Sequence, residues 1–387
     1  MKKRLAIITT HPIQYNAPLF ELLTSRNNIE IKIFYTWGDS VLKEKYDPGF
    51  GKSIQWDIDL LKGYSYLFLE NVAKEKGSHH YNGIDNPDVI NQIKIYNPES
   101  ILIYGWPLKS HYKVMRYFKG KLPVYFRGDS ILKMSDDWIR KFLKRIYISW
   151  VYRSIDKAFY TGSMNKDYFI NYGISESNLI YAPHAVNNDF FRNAINDEPE
   201  RSINWRRSLG IEDQQIVFMY AGKLDKNKNT DYLLDNFVLM DSPSAHMVIA
   251  GDGDEKNSLV NKFGKHERIH FLPFQNQSAM PFLYNLSDVF VLPSKNETWG
   301  LSINEAMACG KAILTNSTIG AAKDLVINKI NGLVFDESIQ FDLLSKMKLL
   351  VDKETVLEMG KQSLIKIKDW NYVKIAEVIE GTLNKNR

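Results

Sequence analysis

Short apolar runs rich in Ile, Val, Leu, Phe and Tyr recur along the chain, and stretches with helical spacing separate them. In the first half the runs predict strands at Leu5–Thr9, Ile31–Tyr35, Ile101–Tyr104, Val124–Arg127, Lys157–Tyr160 and Leu179–Tyr181. A second series lies at Ile216–Tyr220, His246–Ala250, Ile269–Leu272, Val289–Leu292, Ala312–Thr315 and Gly332–Phe335. Strands alternating with helices argue for a doubly wound α/β architecture. The polar, proline-containing stretch 193–201 reads as a linker, which divides the chain into 1–192 and 202–369. A last helix, Trp370–Asn384, carries an apolar stripe at Val373, Ala376, Ile379 and Leu383.

A chain of 387 residues is too long for one compact core and suits two domains. Hydrophobic residues at 44% and charged residues at 25% place it among globular proteins and exclude disorder. The net charge of +5 fits anionic small substrates or an anionic surface and is too small to indicate nucleic acid. With one cysteine, Cys309, no internal disulfide is possible, which points to a reducing compartment. The apolar run after the N-terminal lysines and arginine is too short for a signal peptide, and no run is long enough to span a bilayer. The expected location is therefore the cytoplasm.

The most informative stretch is 288–315, DVFVLPSKNETWGLSINEAMACGKAILT. It reads as a buried strand, a loop with Gly300, a helix opened by a Ser302/Glu305 capping box, and a second strand. A helix N-terminus facing a loop offers N–H groups and a positive dipole end to an anion. Glu297 and Glu305 flank that position and can accept hydroxyl protons, a combination suited to a sugar nucleotide.

The pattern Glu297-x7-Glu305 inside PSxxETWGLSxxEAMACG resembles the donor-site signature of retaining glycosyltransferases of family 4, which have the GT-B fold. The resemblance implies two Rossmann-like doubly wound domains with a cleft between them. The first would bind the acceptor and the second the nucleotide sugar, with the helix in 370–387 crossing back to the first. It also implies that Glu297 contacts hydroxyls of the donor sugar and Glu305 the ribose. The backbone of Trp299, Gly300, Leu301 and Ser302 would meet the diphosphate. In AGKLDKNK, Lys223 and Lys228 match the spacing of two diphosphate-binding cations of the family, with Lys in place of the first Arg. Lysine lacks the bidentate fork of arginine, so the grip there is looser. Lys226 is expected in solvent. Phe274 and Gln275, in FLPFQ, resemble the loop bordering the nucleotide base. No metal is expected: Asp252-x-Asp254 matches a strand-ending turn of the family, and Asp57-x-Asp59 has no supporting context.

For the acceptor half, HPIQYNAPLF is similar to a subgroup of bacterial family 4 enzymes that build surface glycans such as lipopolysaccharide and capsule. Its His11, Gln14, Tyr15 and Asn16 replace the glycines usual at this strand-to-helix junction. Arg127 and Asp129, after the strand at 124–127, are candidates for an anionic acceptor or the leaving phosphate, or equally for a buried structural pair. Trp106 is expected in the core, and the Tyr181–Asn187 segment, with His184, at the wall of the hinge. In the helix 138–153, WIRKFLKRIYISWVYR, the apolar stripe is expected to cover the sheet. Its cations would then allow only weak electrostatic docking to an anionic membrane.

The function these readings imply is transfer, with retention, of a hexose or N-acetylhexosamine from a nucleoside diphosphate to a hydroxyl of a glycan or lipid-linked acceptor. UDP is the first choice of nucleotide and GDP the second. Lys223, Lys228 and Glu297 are the catalytic candidates. Two alternatives stay open on sequence alone, a sugar-nucleotide epimerase of the same fold and a non-catalytic membrane-docked scaffold of glycan assembly.

Overall fold

The computed structural model describes residues 2–39, 45–47, 52–132 and 138–385. The chain forms two compact units, one of Met1–Lys45, Asp59–His184 and Tyr372–Arg387, the other of Tyr46–Ile58 and Ala185–Asn371. Its strands are β1 (Arg4–Thr9), β2 (Glu30–Tyr35), β3 (Lys45–Asp47), β4 (Lys52–Ile54), β5 (Tyr66–Phe68), β6 (Ser100–Tyr104), β7 (Val124–Arg127), β8 (Lys157–Tyr160) and β9 (Leu179–Tyr181). They continue as β10 (Ile216–Ala221), β11 (Ala245–Ala250), β12 (Ile269–Leu272), β13 (Val289–Leu292), β14 (Ala312–Asn316) and β15 (Gly332–Phe335).

The first unit holds a seven-stranded sheet in the order β5-β2-β1-β6-β7-β8-β9, and the second a six-stranded sheet in the order β12-β11-β10-β13-β14-β15. All pairs in both sheets are parallel. Helices on both faces explain why the strands read as unbroken apolar runs: every residue of β10 and of β13 is buried. This is the doubly wound arrangement expected from the sequence. β3 and β4 form a separate two-stranded sheet. β5 was not predicted; it is three residues long and its tyrosine is exposed, too little pattern to read.

The stretch 193–201 is not an extended linker. It belongs to two helices, Asn188–Asp197 and Pro199–Ser208. The Asn187 side chain caps the first by accepting from Phe190 N at 3.1 Å, and Phe191 is buried with its ring 6.0 Å from that of Tyr284. Pro199 opens the second, where a missing N–H costs nothing.

The last helix, Tyr372–Lys385, packs on the helix Ala17–Arg26 of the first unit. Arg26 Nε and Nη2 donate to Glu380 Oε1 and Oε2 at 2.9 and 3.0 Å, and Asn28 Nδ2 adds a bond of 3.0 Å to Oε2. Burial opposes ionisation of Glu380, but the bonds from Arg26 and Asn28 outweigh it and hold the carboxyl below its ordinary value of 4.5. A depressed carboxylate stabilises the fold fully above its unfolded value, and that stability fades as pH falls through the lower folded value. Glu380→Ala is therefore expected to cost about 2 kcal/mol at neutral pH, a figure typical of charged hydrogen bonds. The difference from wild type should shrink below about pH 4.5, as read by denaturant unfolding across pH.

Candidate functional site

In the second unit, β10 and β13 lie side by side, so the loops that leave their carboxyl ends are neighbours. The first loop is shaped by Asp225, whose Oδ1 accepts from Asn227 N at 2.9 Å and from Lys228 N at 3.0 Å, an Asx-turn. Asn227 then stitches the loop to its neighbour: its carbonyl accepts from Lys295 N at 2.8 Å, and its Nδ2 donates to Asn296 O at 2.8 Å. The stitch brings Lys228 Nζ into a hydrogen-bonded ion pair with Glu297 Oε2, each side chain about four-fifths buried.

Lys223 stands at the start of the same loop, where its carbonyl accepts from Tyr220 Oη at 2.6 Å. Burial, and then the carboxylates of Asp225 and Glu297, raise the Tyr220 phenol well above its ordinary range, so it stays a neutral donor. Lys226 is exposed. The backbone here tolerates no side chain: a Cβ on Gly251, after β11, would overlap the Gly222 carbonyl oxygen.

The loop after β13 is anchored from the other side. Glu297 O accepts from Gly320 N at 3.4 Å and Trp299 O from Ala321 N at 2.9 Å. Trp299 itself is buried; its Nε1 donates to Asn304 Oδ1 at 2.8 Å, and its ring stacks on Trp370 at 5.1 Å. These ties leave Gly300 with φ of 93°, a conformation suited to glycine, and a Cβ there would lie 2.7 Å from Leu292 Cδ2.

The helix consequently begins at Leu301 with Gly300 as its cap and no side-chain capping bond. The capping box expected from Ser302 and Glu305 does not form, because Ser302 is already inside the first turn. Leu301 and Ser302 are half-buried at that helix start, where the first N–H groups of a helix have no intrahelical partner. Glu305 lies one turn further in, almost fully buried, with Tyr284 Oη donating to its Oε2 at 2.7 Å. Burial raises the Cys309 thiol of the same segment well above its ordinary range, so it stays a neutral packing group.

Phe274 and Gln275 follow β12, at the edge of the sheet and beyond β11 from the lysine loop. Phe274 N donates to Asp252 Oδ2 at 3.4 Å, while Asp252 Oδ1 pairs with Lys256. Asp57, of the other Asp-x-Asp, accepts at its carboxylate from Ser278 N and Ser278 Oγ. Protein donors thus occupy Asp252 and Asp57.

Among the acceptor candidates in the first unit, His11, Gln14, Tyr15 and Asn16 lie in the loop after β1, all half-buried. His11 Nδ1 is 2.9 Å from Thr10 Oγ1, and its ring meets Trp37 edge-on at 5.1 Å. The Tyr15 carbonyl accepts from Tyr372 Oη at 3.0 Å. Arg127 ends β7, separated from β1 by β6. It is 6% exposed, and its Nη1 and Nη2 donate to the carbonyls of Ala182 and Pro183 at 2.8 and 2.9 Å. The guanidinium braces the segment after β9. Asp129 is the neighbouring charge, and it opposes the effects of burial and of Arg127, which together lower the His184 imidazole. Trp106 packs at the edge of the core, its ring 5.8 Å from that of Tyr147.

Asp225, Asn227, Tyr284 and Trp370 belong to this arrangement and were not singled out from the sequence. The Asp225-x-Asn227 spacing carries an Asx-turn signal. The other two act through contacts remote in sequence.

Residues 202–363 match the sequence model of the family described as Glycosyl transferases group 1. An uncharacterized glycosyltransferase of Methanocaldococcus jannaschii is 32% identical over 143 residues, which cover 36% of this chain and 36% of that protein. The O-antigen biosynthesis glycosyltransferase WclY of Escherichia coli is 31% identical over 143 residues, covering 35% of this chain and 39% of its own. The chain thus spans well under half the length of these relatives. Among solved structures, HepE of Anabaena in complex with UDP and glucose superposes with a TM-score of 0.71 at 16% identity, covering 99% of this chain and 100% of that one. The fold is that of the GT-B glycosyltransferases, and its second unit contains the group 1 match.

Proposed function

We propose that the protein is a retaining glycosyltransferase that moves a hexose or N-acetylhexosamine from a nucleoside diphosphate, UDP in the first instance, to a hydroxyl of a glycan or lipid-linked acceptor in surface polysaccharide synthesis. The observation that carries the reading is the pairing of Lys228 with Glu297 on adjoining strand ends, with Lys223 in the same loop as Lys228 and the helix start at Leu301 in the same loop as Glu297, inside the family-matching segment. WclY's role in O-antigen biosynthesis and the UDP bound to HepE support the acceptor class and the nucleotide.

Departure of the sugar leaves negative charge on the diphosphate. Lys223, Lys228 and the N–H groups at Leu301 and Ser302 stabilise that charge. An ammonium has three donors, so Lys228 can keep Glu297 in place while giving a second bond to phosphate. Glu297, held in this way, accepts from hydroxyls of the donor sugar, and Glu305, oriented by Tyr284, from the ribose. Phe274 and Gln275 border the base. The chemistry proceeds by this electrostatic support without a metal, and a donor phosphate oxygen accepts the acceptor's proton.

A thermal-shift panel of UDP-, GDP- and ADP-sugars tests the donor assignment. UDP-sugar at a hundred times its dissociation constant should add about 2.7 kcal/mol of stability. A flat panel across all three would dismiss nucleotide-sugar binding.

A further inference from the structure

The helix Trp138–Tyr152 does not do what its apolar stripe suggests. Only Ile148, Val151 and Tyr152 are buried, and they join the core of the first unit with Phe126, Tyr168 and Phe169. At 100° per residue these three lie on the side of the helix that carries Arg140, Lys141, Lys144 and Arg145 in its earlier turns. The stripe itself points the other way. Trp138 is 73% exposed, and Ile139, Phe142, Leu143, Ile146, Tyr147 and Trp150 are all exposed as well. The expectation that this stripe covers the sheet is therefore overturned; three residues at the C-terminal end of the helix suffice for that.

What remains is a projecting helix whose first ten residues are all exposed, with an apolar face that includes Trp138 and Phe142, Arg140 and Arg145 at the two edges of that face, and no acidic residue between Trp138 and Tyr152. The surface continues onto the neighbouring helix Lys109–Phe118, where the Tyr112 ring lies 5.5 Å from Trp150 and the Arg116 guanidinium 5.8 Å from the same ring. A contiguous exposed apolar patch of this kind marks an interaction site.

We infer that this face docks on an anionic lipid bilayer, lying in the plane of the interface. Aromatic rings beside aliphatic side chains suit the headgroup–acyl boundary, and flanking cations on long stems reach acidic headgroups from a partly buried helix. Charge complementarity selects a lipid surface over a second copy, because antiparallel pairing of the stripe would bring like-charged flanks together. Among the described residues no helix is long and apolar enough to cross a membrane, so the association is at the surface.

The experiment is co-sedimentation of the full chain with vesicles of phosphatidylcholine alone or mixed with phosphatidylglycerol, at low and raised salt. The chain should sediment with the mixed vesicles, less so in salt. The pair Arg140→Gln and Arg145→Gln, at the two edges of the apolar face, should weaken partitioning about 30-fold, at ~1 kcal/mol per cation. Phe142→Asp with Ile146→Asp should weaken it at least about a hundredfold, since each buried side chain is worth ~1.5–3 kcal/mol. These positions are exposed, so unchanged melting temperatures will show that the variants fold. No partitioning into mixed vesicles, or equal partitioning by the Phe142→Asp, Ile146→Asp variant, overturns the inference. A dimer in light scattering that this variant dissolves, without vesicle binding by the wild type, overturns it in favour of self-association.

Discussion

Lys228→Ala is expected to lower turnover with saturating donor by about 10²–10³, the scale of losing one preorganised group opposite developing charge. Asp225 fixes the backbone of the turn, Asn227 ties it to the facing loop, and the ammonium is thereby aimed at the Glu297 carboxylate beside the helix start at Leu301. A cation held in place before the reaction acts without reorganisation, so its removal falls mainly on the rate. Glu297→Gln separates the two partners: it keeps a hydrogen-bonding group toward sugar hydroxyls but no longer holds the ammonium. Steady-state assays of sugar transfer, run beside thermal melts, distinguish a lost catalytic group from a lost fold. Each side chain is about four-fifths buried, so removing one partner should also cost about 1–3 kcal/mol of stability, which the melts register separately from the rate. Full activity in Lys228→Ala would remove the phosphate-stabilising role.

Asp288→Ala should destabilise the second unit by about 3–5 kcal/mol, the usual result of leaving a buried charge without its partner. Asp288 precedes β13 and is the centre of an ionic cluster under the amino ends of the strands. Its Oδ2 accepts from Arg206 Nη1 at 2.9 Å and from Val217 N at 2.9 Å, and its Oδ1 from Lys353 Nζ at 2.8 Å. Arg206 is 9% exposed and cannot escape to water when its partner is deleted. Burial works against the Asp288 carboxylate, but Arg206, Lys353 and the Val217 amide hold it below its ordinary value of 3.8. The stabilisation is thus complete above that value and declines in stronger acid. Calorimetric melting of the variant at neutral pH checks the magnitude. A loss under 1 kcal/mol would mean that Arg206 rests adequately on the carbonyls of Leu286, Glu212 and Gln215.

The sheets were legible because strands covered on both faces must be apolar throughout, as β10 and β13 are. Helical segments with polar composition were harder: in 193–201 the decisive signals were an asparagine cap just upstream and a proline at a helix start, and charge density obscured both. The loops that carry Lys228 and Glu297 were singled out by the resemblance of their motifs to a family signature. Their direct pairing was not, since it spans 69 positions and depends on which strands adjoin. The same holds for the stack of Trp299 on Trp370. In the 138–152 helix the amphipathic pattern was read correctly as a pattern. An apolar stripe says only that some face avoids water, and the tertiary contacts decide which.

The two units are braided along the sequence, the chain passing from one to the other at 45/46, 58/59, 184/185 and 371/372. No single cut yields either unit whole. Trimming the protein to 202–363 would discard the helix Asn188–Asp197, which packs on the helices Met280–Leu286 and Leu301–Ala308, and would sever the helix Lys353–Ile367 near its end. Removing the last sixteen residues would strip a helix from the unit built chiefly by the opening half of the polypeptide. Swapping halves between relatives, an attractive way to exchange specificities, must respect these four junctions.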